Sequence, residues 1–325
     1  MRLILNLANL FLRGTALMLG LMGAFAGLAC WGGMFSDRLD TLTHLAPIWL
    51  TCGALALILA MTFSRDGERR AIVGLALVAV IAIGALMAPE LLTVLRQTRE
   101  PAGASTVKLV QFNLWVENRE PGATLDWIIA QKADLVIVEE GGGRASLVIR
   151  RLREVYPNYI TCAGRRRCDT WIFSRSPITQ GRGFYQDRHP LAAAWATVRD
   201  PSGDFTVAGA HYGWPVPAGL QRAQSRILVD VLKPFAHDSL IVAGDFNSTP
   251  WSWTLRRQDK ALGLKRRTRA LASWPTGGFS RIATAPFPLL PIDHVYAGKA
   301  WKTVKVERGP SLGSDHRPIV VTLTR

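Results

Sequence analysis

Two short stretches of this sequence place reactive polar side chains at the edge of an apolar run, one just after it and one just before it. The first is Ile241-Val242-Ala243-Gly244-Asp245-Phe246-Asn247-Ser248-Thr249-Pro250, with a carboxylate and a carboxamide two positions apart. On an extended segment that spacing puts both side chains on one face. Asp245 can then accept a proton or hold a water while Asn247 donates to the oxygen of a bound anion. Gly244 permits close backbone approach and Pro250 ends the turn. The second stretch is Gly313-Ser314-Asp315-His316-Arg317-Pro318. A histidine beside a carboxylate is held in one tautomer and becomes a better proton donor or charge stabiliser. Adjacent side chains on an extended chain diverge, so Asp293, in Pro291-Ile292-Asp293-His294-Val295-Tyr296, is a better partner for His316 than Asp315. By the same alternation His294 points away from Asp293 and reads as structural. Taken alone, each stretch also fits an ordinary strand followed by a polar turn.

Residues so far apart can meet only if the chain between them brings strand ends to one edge. From Pro101 onward, short apolar runs alternate with polar stretches punctuated by Gly and Pro. Strands are expected at Val107 to Leu114, Leu135 to Val138, Trp171 to Phe173, Ala192 to Val198, Phe205 to His211, Leu240 to Ala243, Ile292 to Tyr296, Lys302 to Glu307 and Ile319 to Leu323. Helices are expected at Leu125 to Gln131 and from about Ala218 to Pro234. Asn113, Glu140, His211, Asp245, Asp293 and Asp315 each fall at the carboxyl end of an apolar run or just beyond it. In α/β architectures such loops gather at one edge of the sheet.

Residues 1–100 are different, being dominated by Leu, Ala, Gly, Ile, Val and Met. Gly14 to Phe35, His44 to Phe63 and Ala71 to Leu95 each reach the roughly 18 to 25 residues needed to cross a bilayer. A cleaved leader or buried helices of a soluble domain are the competing readings. The loop Ser64 to Arg70 carries Arg65, Arg69 and Arg70, and the N-terminal arm carries Arg2 and Arg13. The loop Ser36 to Thr43 has only Arg38 beside Asp37 and Asp40. Positive residues stay cytoplasmic, so three spans with an inner N-terminus put the rest of the chain outside the inner membrane, in the periplasm of a bacterium. The expected division is a membrane anchor of about three transmembrane helices over 1–100 and a second domain over 101–325, joined by the Pro- and Gly-containing linker Arg96 to Ser105.

The net charge is +15, and residues 1–100 hold only 8 of the 39 basic and 6 of the 24 acidic residues, which leaves +13 on the second domain. Its densest basic run, Arg256, Arg257, Lys260, Lys265, Arg266, Arg267 and Arg269, reads as a solvated face or a contact with lipid headgroups. Cys30 and Cys52 fall within apolar spans as small apolar residues. Cys162 and Cys168 bracket Ala-Gly-Arg-Arg-Arg and can close a short loop in an oxidising compartment. No second Cys or His pair at ligand spacing accompanies them, which weighs against zinc. Trp115, Trp214, Trp251 and Trp253 lie near the polar stretches; half or more suit a core, and one or two suit an apolar rim for a base or an acyl chain.

In this order the motifs resemble the endonuclease/exonuclease/phosphatase superfamily, which includes DNase I, apurinic endonucleases, inositol-polyphosphate phosphatases and neutral sphingomyelinases. Gln111-Phe112-Asn113-Leu114, Asp134 to Glu140, Ile172 to Ile178, Gly244 to Asn247 and Ser314 to His316 carry the likeness over nearly all of 101–325. The resemblance implies a four-layer α/β sandwich of two packed β-sheets flanked by helices. It implies Mg²⁺ or Mn²⁺ on Glu140 with Asn113 beside it and Asp315 as a second carboxylate on the metal side. It assigns Asp245 to the attacking water, Asn247 and His211 to phosphoryl oxygens, and His316, oriented by Asp293, to the developing charge or the leaving group. Two departures stand out: Glu139 occupies a position often held by Gln, and Gly209 one often held by Asn. The implied activity is hydrolysis of an anionic phosphoester, nucleic acid or phospholipid, by a membrane-tethered enzyme. The alternative is a catalytically silent module that keeps the fold for binding.

Overall fold

The structure is a computed structural model and describes residues 1–103, 105–162, 168–184, 191–277 and 285–325. The chain separates into two compact units, Met1–Leu95 with Pro250–Leu255, and Arg96–Thr249 with Arg256–Arg325.

The first unit contains α1 (Arg2–Gly32), α2 (Asp37–Thr43), α3 (Ala46–Phe63) and α4 (Asp66–Leu95). Helices α1, α3 and α4 are long and apolar enough to cross a membrane. α1 begins well before Gly14 because the Leu-rich stretch from Arg2 contains no Gly or Pro to stop it. α4 begins at Asp66, where Asp66 and Glu68 complement the helix dipole in the first turn. The inner faces are small: Ala16, Ala56, Ala60 and Ala76 surround Ile72, while Phe25, Ile58 and Ile81 point outward. Small inner residues let helix backbones approach closely, which is how helices associate where lipid removes the hydrophobic drive. The Asp40 carboxylate accepts from the backbone N–H groups of Trp253 and Thr254 at 2.7 and 2.8 Å, and so holds the segment 250–255.

The second unit runs β1 (Thr106–Asn113), α5 (Pro121–Ala130), β2 (Leu135–Glu139), α6 (Ser146–Val155), β3 (Asn158–Thr161), β4 (Thr170–Ser174), β5 (Ile178–Phe184), β6 (Ala192–Val198), β7 (Phe205–His211), α7 (Leu220–Leu232), β8 (Ile241–Asp245), α8 (Trp253–Leu262), β9 (Lys265–Arg266), β10 (Asp293–Ala297), β11 (Lys302–Arg308) and β12 (Ile319–Thr324). The strands form two six-stranded sheets, ordered β11-β12-β1-β2-β4-β3 and β5-β6-β7-β8-β10-β9. Alternation along the strands builds the layers. Val107, Leu109, Leu135, Ile137, Ile241, Ala243 and Val295 pack between the sheets. Val110, Phe112, Val136 and Val138 face the opposite way, onto Leu125 and Ile128 of α5 and Val148 and Leu152 of α6. The expected α/β sandwich of two packed sheets flanked by helices is the architecture found.

Several elements were not evident from pattern. Strand β5 is an edge strand with two glycines and mostly exposed side chains, so it lacks the apolar alternation of a half-buried strand. Helix α8 takes in Arg256, Arg257 and Lys260, the first part of what reads as a basic run. Cys162 and Cys168 are disulfide-bonded, with a Cα–Cα separation of 5.5 Å; the residues between them lie outside those described.

Candidate active site

The polar residues of interest continue the inward-facing rows of the two sheets. On β1 the row Val107, Leu109 leads to Gln111 and Asn113; on β2 Leu135 and Ile137 lead to Glu139. On β8 Ile241 and Ala243 lead to Asp245, and on β10 Asp293 starts the row that continues into Val295 and Ala297. Register does the rest: Asn113 lies opposite Glu139 on parallel strands, and Asp293 opposite Asp245 on antiparallel ones. Apolar packing between the sheets thus ends, at one edge, in a buried polar cluster. Gly244 allows this closeness. Its φ is +153°, and a Cβ there would lie 1.9 Å from the Ala210 carbonyl oxygen, so any other residue would push β7 and β8 apart.

Asp245 is the hub, fully buried. Its Oδ2 accepts from Asn113 Nδ2 at 3.0 Å and Asn247 Nδ2 at 3.3 Å, and its Oδ1 accepts from the Asn247 backbone N–H at 2.8 Å. Two imidazoles approach the same Oδ2, His211 Nε2 at 3.7 Å and His316 Nε2 at 3.6 Å. Burial pushes the Asp245 carboxyl up to about 6, against the opposing pull of His316. Asn247 also donates from Nδ2 to the Tyr212 carbonyl at 2.9 Å, so both amide hydrogens are engaged in fixing the loop.

His316 and Asp293 form a buried pair, Nδ1 to Oδ2 at 2.8 Å. Burial alone would lower the histidine, but Asp293, Asp245 and Asp315 together raise it well above its ordinary value. Asp293 likewise resists the upward push of burial and is held low by His316 and its hydrogen bonds. The ring is therefore protonated and the carboxylate ionised at neutral pH, with Nε2 aimed at Asp245. Ser314 braces this arrangement: its hydroxyl donates to the Asn113 carbonyl at 2.8 Å and accepts from the His316 N–H at 3.0 Å.

Gln111 has a structural part that the sequence reading did not assign. Its Nε2 donates to Glu139 at 3.0 Å and to Asp293 at 2.9 Å. The signal was present, since Gln111 stands two residues before Asn113 and must share its face. Glu139 is buried, and burial together with the charges of Asp293 and Asp245 pushes its carboxyl well up, which suits a neutral group beside Gln111. The alternation expected to turn Glu139 and Glu140 to opposite faces does not hold, because β2 ends at Glu139 and both carboxylates meet the same row of β1, Glu139 through Gln111 and Glu140 through Asn113.

Glu140 leaves the strand in the left-handed region at φ 53°, and its side chain is 28% exposed. Its Oε1 accepts from Asn113 Nδ2 at 3.2 Å and lies 3.7 Å from His211 Nε2. Trp115 and Asn247 also have positive φ, 58° and 47°. Bulky residues in that region are strained, and such strain clusters where a site demands a fixed geometry. Asp315 sits to one side, its Oδ2 accepting from Trp274 Nε1 at 3.2 Å; burial raises its carboxyl, with Glu140 adding to the rise. His294 is structural, its Nε2 2.8 Å from the Ser248 carbonyl. Gly209 faces the opposite sheet, where a Cβ would lie 2.9 Å from Ile137 and 3.2 Å from Thr170, so an Asn would not fit there without repacking.

These residues fit a hard divalent cation. Glu140 Oε1 and Asp245 Oδ2 converge on one Asn113 amide, two carboxylates around a single neutral donor, and Glu140 opens to solvent. Oxygen-rich surroundings with room for water suit Mg²⁺. Asp245, Asp293 and His316 also offer ligand atoms within 4.8 Å of one another. Asp293 and the His316 Nδ1 already satisfy each other, however, which leaves the Glu140 side as the better cradle.

An α/β sandwich that gathers acidic and histidine side chains where two sheets end defines the class. Residues 110–316, more than half of the chain, match the Endonuclease/Exonuclease/phosphatase family, and the chain belongs to it. No curated protein sequence matches it. Among similar solved structures is sphingomyelinase C from Streptomyces griseocarneus, at 16% identity and TM-score 0.52, over 67% of this chain and 99% of that one. Beta toxin from Staphylococcus aureus with bound magnesium ions is 15% identical at TM-score 0.51, over 67% and 99%. D. rerio TDP2 complexed with a single-strand DNA product is 14% identical at TM-score 0.54, over 68% and 100%. At these identities the likeness is one of fold.

Proposed function

We propose that the protein is a divalent-metal-dependent phosphodiesterase, tethered to a membrane by α1, α3 and α4 with its catalytic unit on the outer side. The observation that carries the reading is the buried Asp245 carboxylate set between two imidazoles, one of them charged by Asp293. Phosphoryl transfer needs a positioned water and neutralised charge, and little covalent chemistry. Asp245 orients the attacking water and accepts its proton, as a carboxyl poised near neutrality can. Asn113 and Asn247 fix Asp245, and Asn247 offers its amide to a phosphoryl oxygen once substrate displaces its present partners. His316, protonated and held by Asp293, faces the developing charge and donates the proton that the leaving oxygen requires. His211 binds a second phosphoryl oxygen. Glu140, with Asn113 beside it and Asp315 behind, would hold Mg²⁺ or Mn²⁺, which supplies charge neutralisation on the phosphoryl group.

Of the two substrate classes, a phospholipid-type diester suits the rim better than nucleic acid. Trp214 and Val216, just beyond His211, are 60% and 72% exposed, and Leu289, whose N–H donates to the Trp274 carbonyl at 3.0 Å, is 55% exposed. Trp214 meets the edge of Trp274, whose indole holds Asp315. An apolar rim of this kind serves an acyl chain or a bilayer surface.

Full-length protein in detergent, given Mg²⁺ or Mn²⁺ and bis(p-nitrophenyl) phosphate, tests the activity. Turnover unchanged in Asp245→Ala and His316→Ala would refute the enzyme assignment as stated, and no turnover with either metal would leave the silent binding module as the reading. Activity that depends on lipid presentation supports the lipid class, whereas activity on DNA or RNA that falls steeply with salt would assign a nuclease. A periplasm-dependent reporter fused after Arg325 tests the orientation.

A further inference from the structure

The basic run of α8 and β9 does not form one solvated face. Arg266 is buried against Asp259, Nη2 to Oδ2 at 3.1 Å, and Arg269 reaches the same carboxylate at 4.0 Å. Arg267 is only 8% exposed and meets no carboxylate among the described residues. Its Nη1 donates to the Thr303 hydroxyl at 3.2 Å, and its Nη2 to the carbonyl oxygens of Ala297, Gly298 and Trp301 at 3.1, 2.9 and 2.8 Å. Its Nε is buried without a partner. Carbonyl dipoles orient a guanidinium without cancelling its charge. Burial, with Arg269 nearby, lowers Arg267 to about 10, so it remains a cation at neutral pH.

Arg267 lines a cavity of about 270 Å³ together with Lys265, Lys299 and Lys302, against the single carboxylate of Glu100. Lys299 pairs with Asp238 at 3.0 Å; Lys265 and Lys302 are exposed and have no ion pair among the described residues. The cavity lies at the end of β10 away from the candidate active site, since Asp293 opens that strand and Ala297 closes it. It is also pinned to the start of the linker. Gln97, two residues beyond the last residue of α4, donates from Nε2 to the Arg267 carbonyl at 3.0 Å, and the Glu100 N–H donates to the Thr303 carbonyl at 2.9 Å.

We propose that this cavity binds the phosphate of an anionic phospholipid headgroup, apart from any substrate at the catalytic end. A buried cation with a spare donor, ringed by lysines, needs an anion with several acceptor oxygens. Thr98 and Glu100 of the cavity lining lie within five residues of the end of α4, so an α4 that spans a bilayer would tether the cavity within reach of the headgroups, where a cluster of basic side chains attracts anionic lipid. The proposal rests on the membrane reading above only for the source of that anion.

Calorimetric titration of the full-length protein in neutral detergent tests it, with short-chain phosphatidylglycerol, phosphatidylcholine of the same chains, and inorganic phosphate as separate ligands. Phosphatidylglycerol is expected to bind about tenfold or more tighter than either of the others, and Lys265→Glu/Lys302→Glu to weaken it by about tenfold or more. Both lysines are exposed, so cooperative thermal unfolding should survive; Lys265→Ala/Lys302→Ala serves if charge reversal impairs folding. Equal binding of the two lipids, or unchanged binding in the lysine variants, overturns the site. Inorganic phosphate binding as tightly as phosphatidylglycerol overturns the lipid source. Neither turnover nor orientation enters these readouts, so their outcome is independent of the proposed hydrolase activity.

Discussion

Replacing Asp293 with Asn separates charge from geometry at the His316 pair. The Asn carbonyl oxygen can still accept from Nδ1 in the place now occupied at 2.8 Å, and side-chain volume hardly changes. What disappears is a negative charge in a fully buried position. Two unit charges about 3 Å apart attract by roughly 5 to 6 kcal/mol at an effective permittivity of about 20. The neutral hydrogen bond that remains is worth about 1 kcal/mol, and Asp245, 3.6 Å from Nε2, continues to favour the protonated ring. If these offset about half of the loss, roughly 2 to 3 kcal/mol of transition-state stabilisation is gone, or about 30- to 150-fold in kcat. The pH profile should move as well. Burial lowers His316 and the neighbouring carboxylates raise it, so removing Asp293 makes the ring lose its proton at lower pH. The alkaline limb of kcat for bis(p-nitrophenyl) phosphate should then shift to lower pH. A kcat within about threefold of wild type, a loss confined to KM, or an unmoved alkaline limb would refute the assignment of His316 as the Asp293-charged proton donor.

Stability of the metal-free protein should follow the same groups. Asp245 is raised to about 6, so the folded state binds its proton more tightly than the unfolded one, and stability falls as pH rises from about 4 towards 6. A cation needs the ionised form, so the increase in Tm caused by Mg²⁺ should grow across that interval; an increase independent of pH would remove Asp245 from the cation's surroundings. The Asp293–His316 pair contributes in the opposite sense at each end. The part from Asp293 is lost as pH falls through its depressed value, and the part from His316 is lost as pH rises through its raised one, which Asp293→Ala should abolish in a pH series of thermal melts. Gly244→Ala should be severely destabilised or insoluble, because its Cβ would meet backbone 1.9 Å away; a wild-type Tm would contradict the close approach of β7 and β8. Cys162→Ser/Cys168→Ser opens a loop of sequence separation 6, which by chain entropy costs up to about 2 kcal/mol. A drop in Tm far beyond that would show that the bridge does more than close a loop.

Much of the site was legible because strand alternation and motif order carry position. The choice of Asp293 over Asp315 as the partner of His316 follows from the divergence of adjacent side chains, whereas Asn247 meets Asp245 through a turn beyond the end of β8, at φ 47°, and not along an extended segment. Glu139 and Glu140 do not divide by alternation, because the left-handed backbone at Glu140 accompanies a carboxylate bonded to Asn113, on the same row of β1 as the Gln111 that holds Glu139. The Gln111 bridge was missed although its face could be read, because its meaning depends on Asp293, a neighbour supplied by the other sheet. The burial of Arg266 and Arg267 within the basic run was hidden for a related reason. Asp259 holds Arg266, and Arg267 is held by carbonyls of residues 297–301, which no local pattern announces from some 30 residues away. The onset of α1 at Arg2 was hidden by polar residues such as Asn6 and Asn9, which lower hydropathy without stopping a helix.

The candidate site is assembled almost entirely from long-range contacts. Asn113 reaches Asp245 across 132 residues, Gln111 reaches Asp293 across 182, and Ser314 reaches Asn113 across 201. Strand β12 lies between β11 and β1, so the first sheet cannot close until residues 319–324 have been made. Contacts of such span form late in folding. A chain still being synthesised, or only partly passed through a membrane, therefore carries the carboxylates of the hub without the histidine that answers them. On the proposed outward topology, no competent site would exist on the inner side of the membrane, and the enzyme would become active only where its last strand arrives.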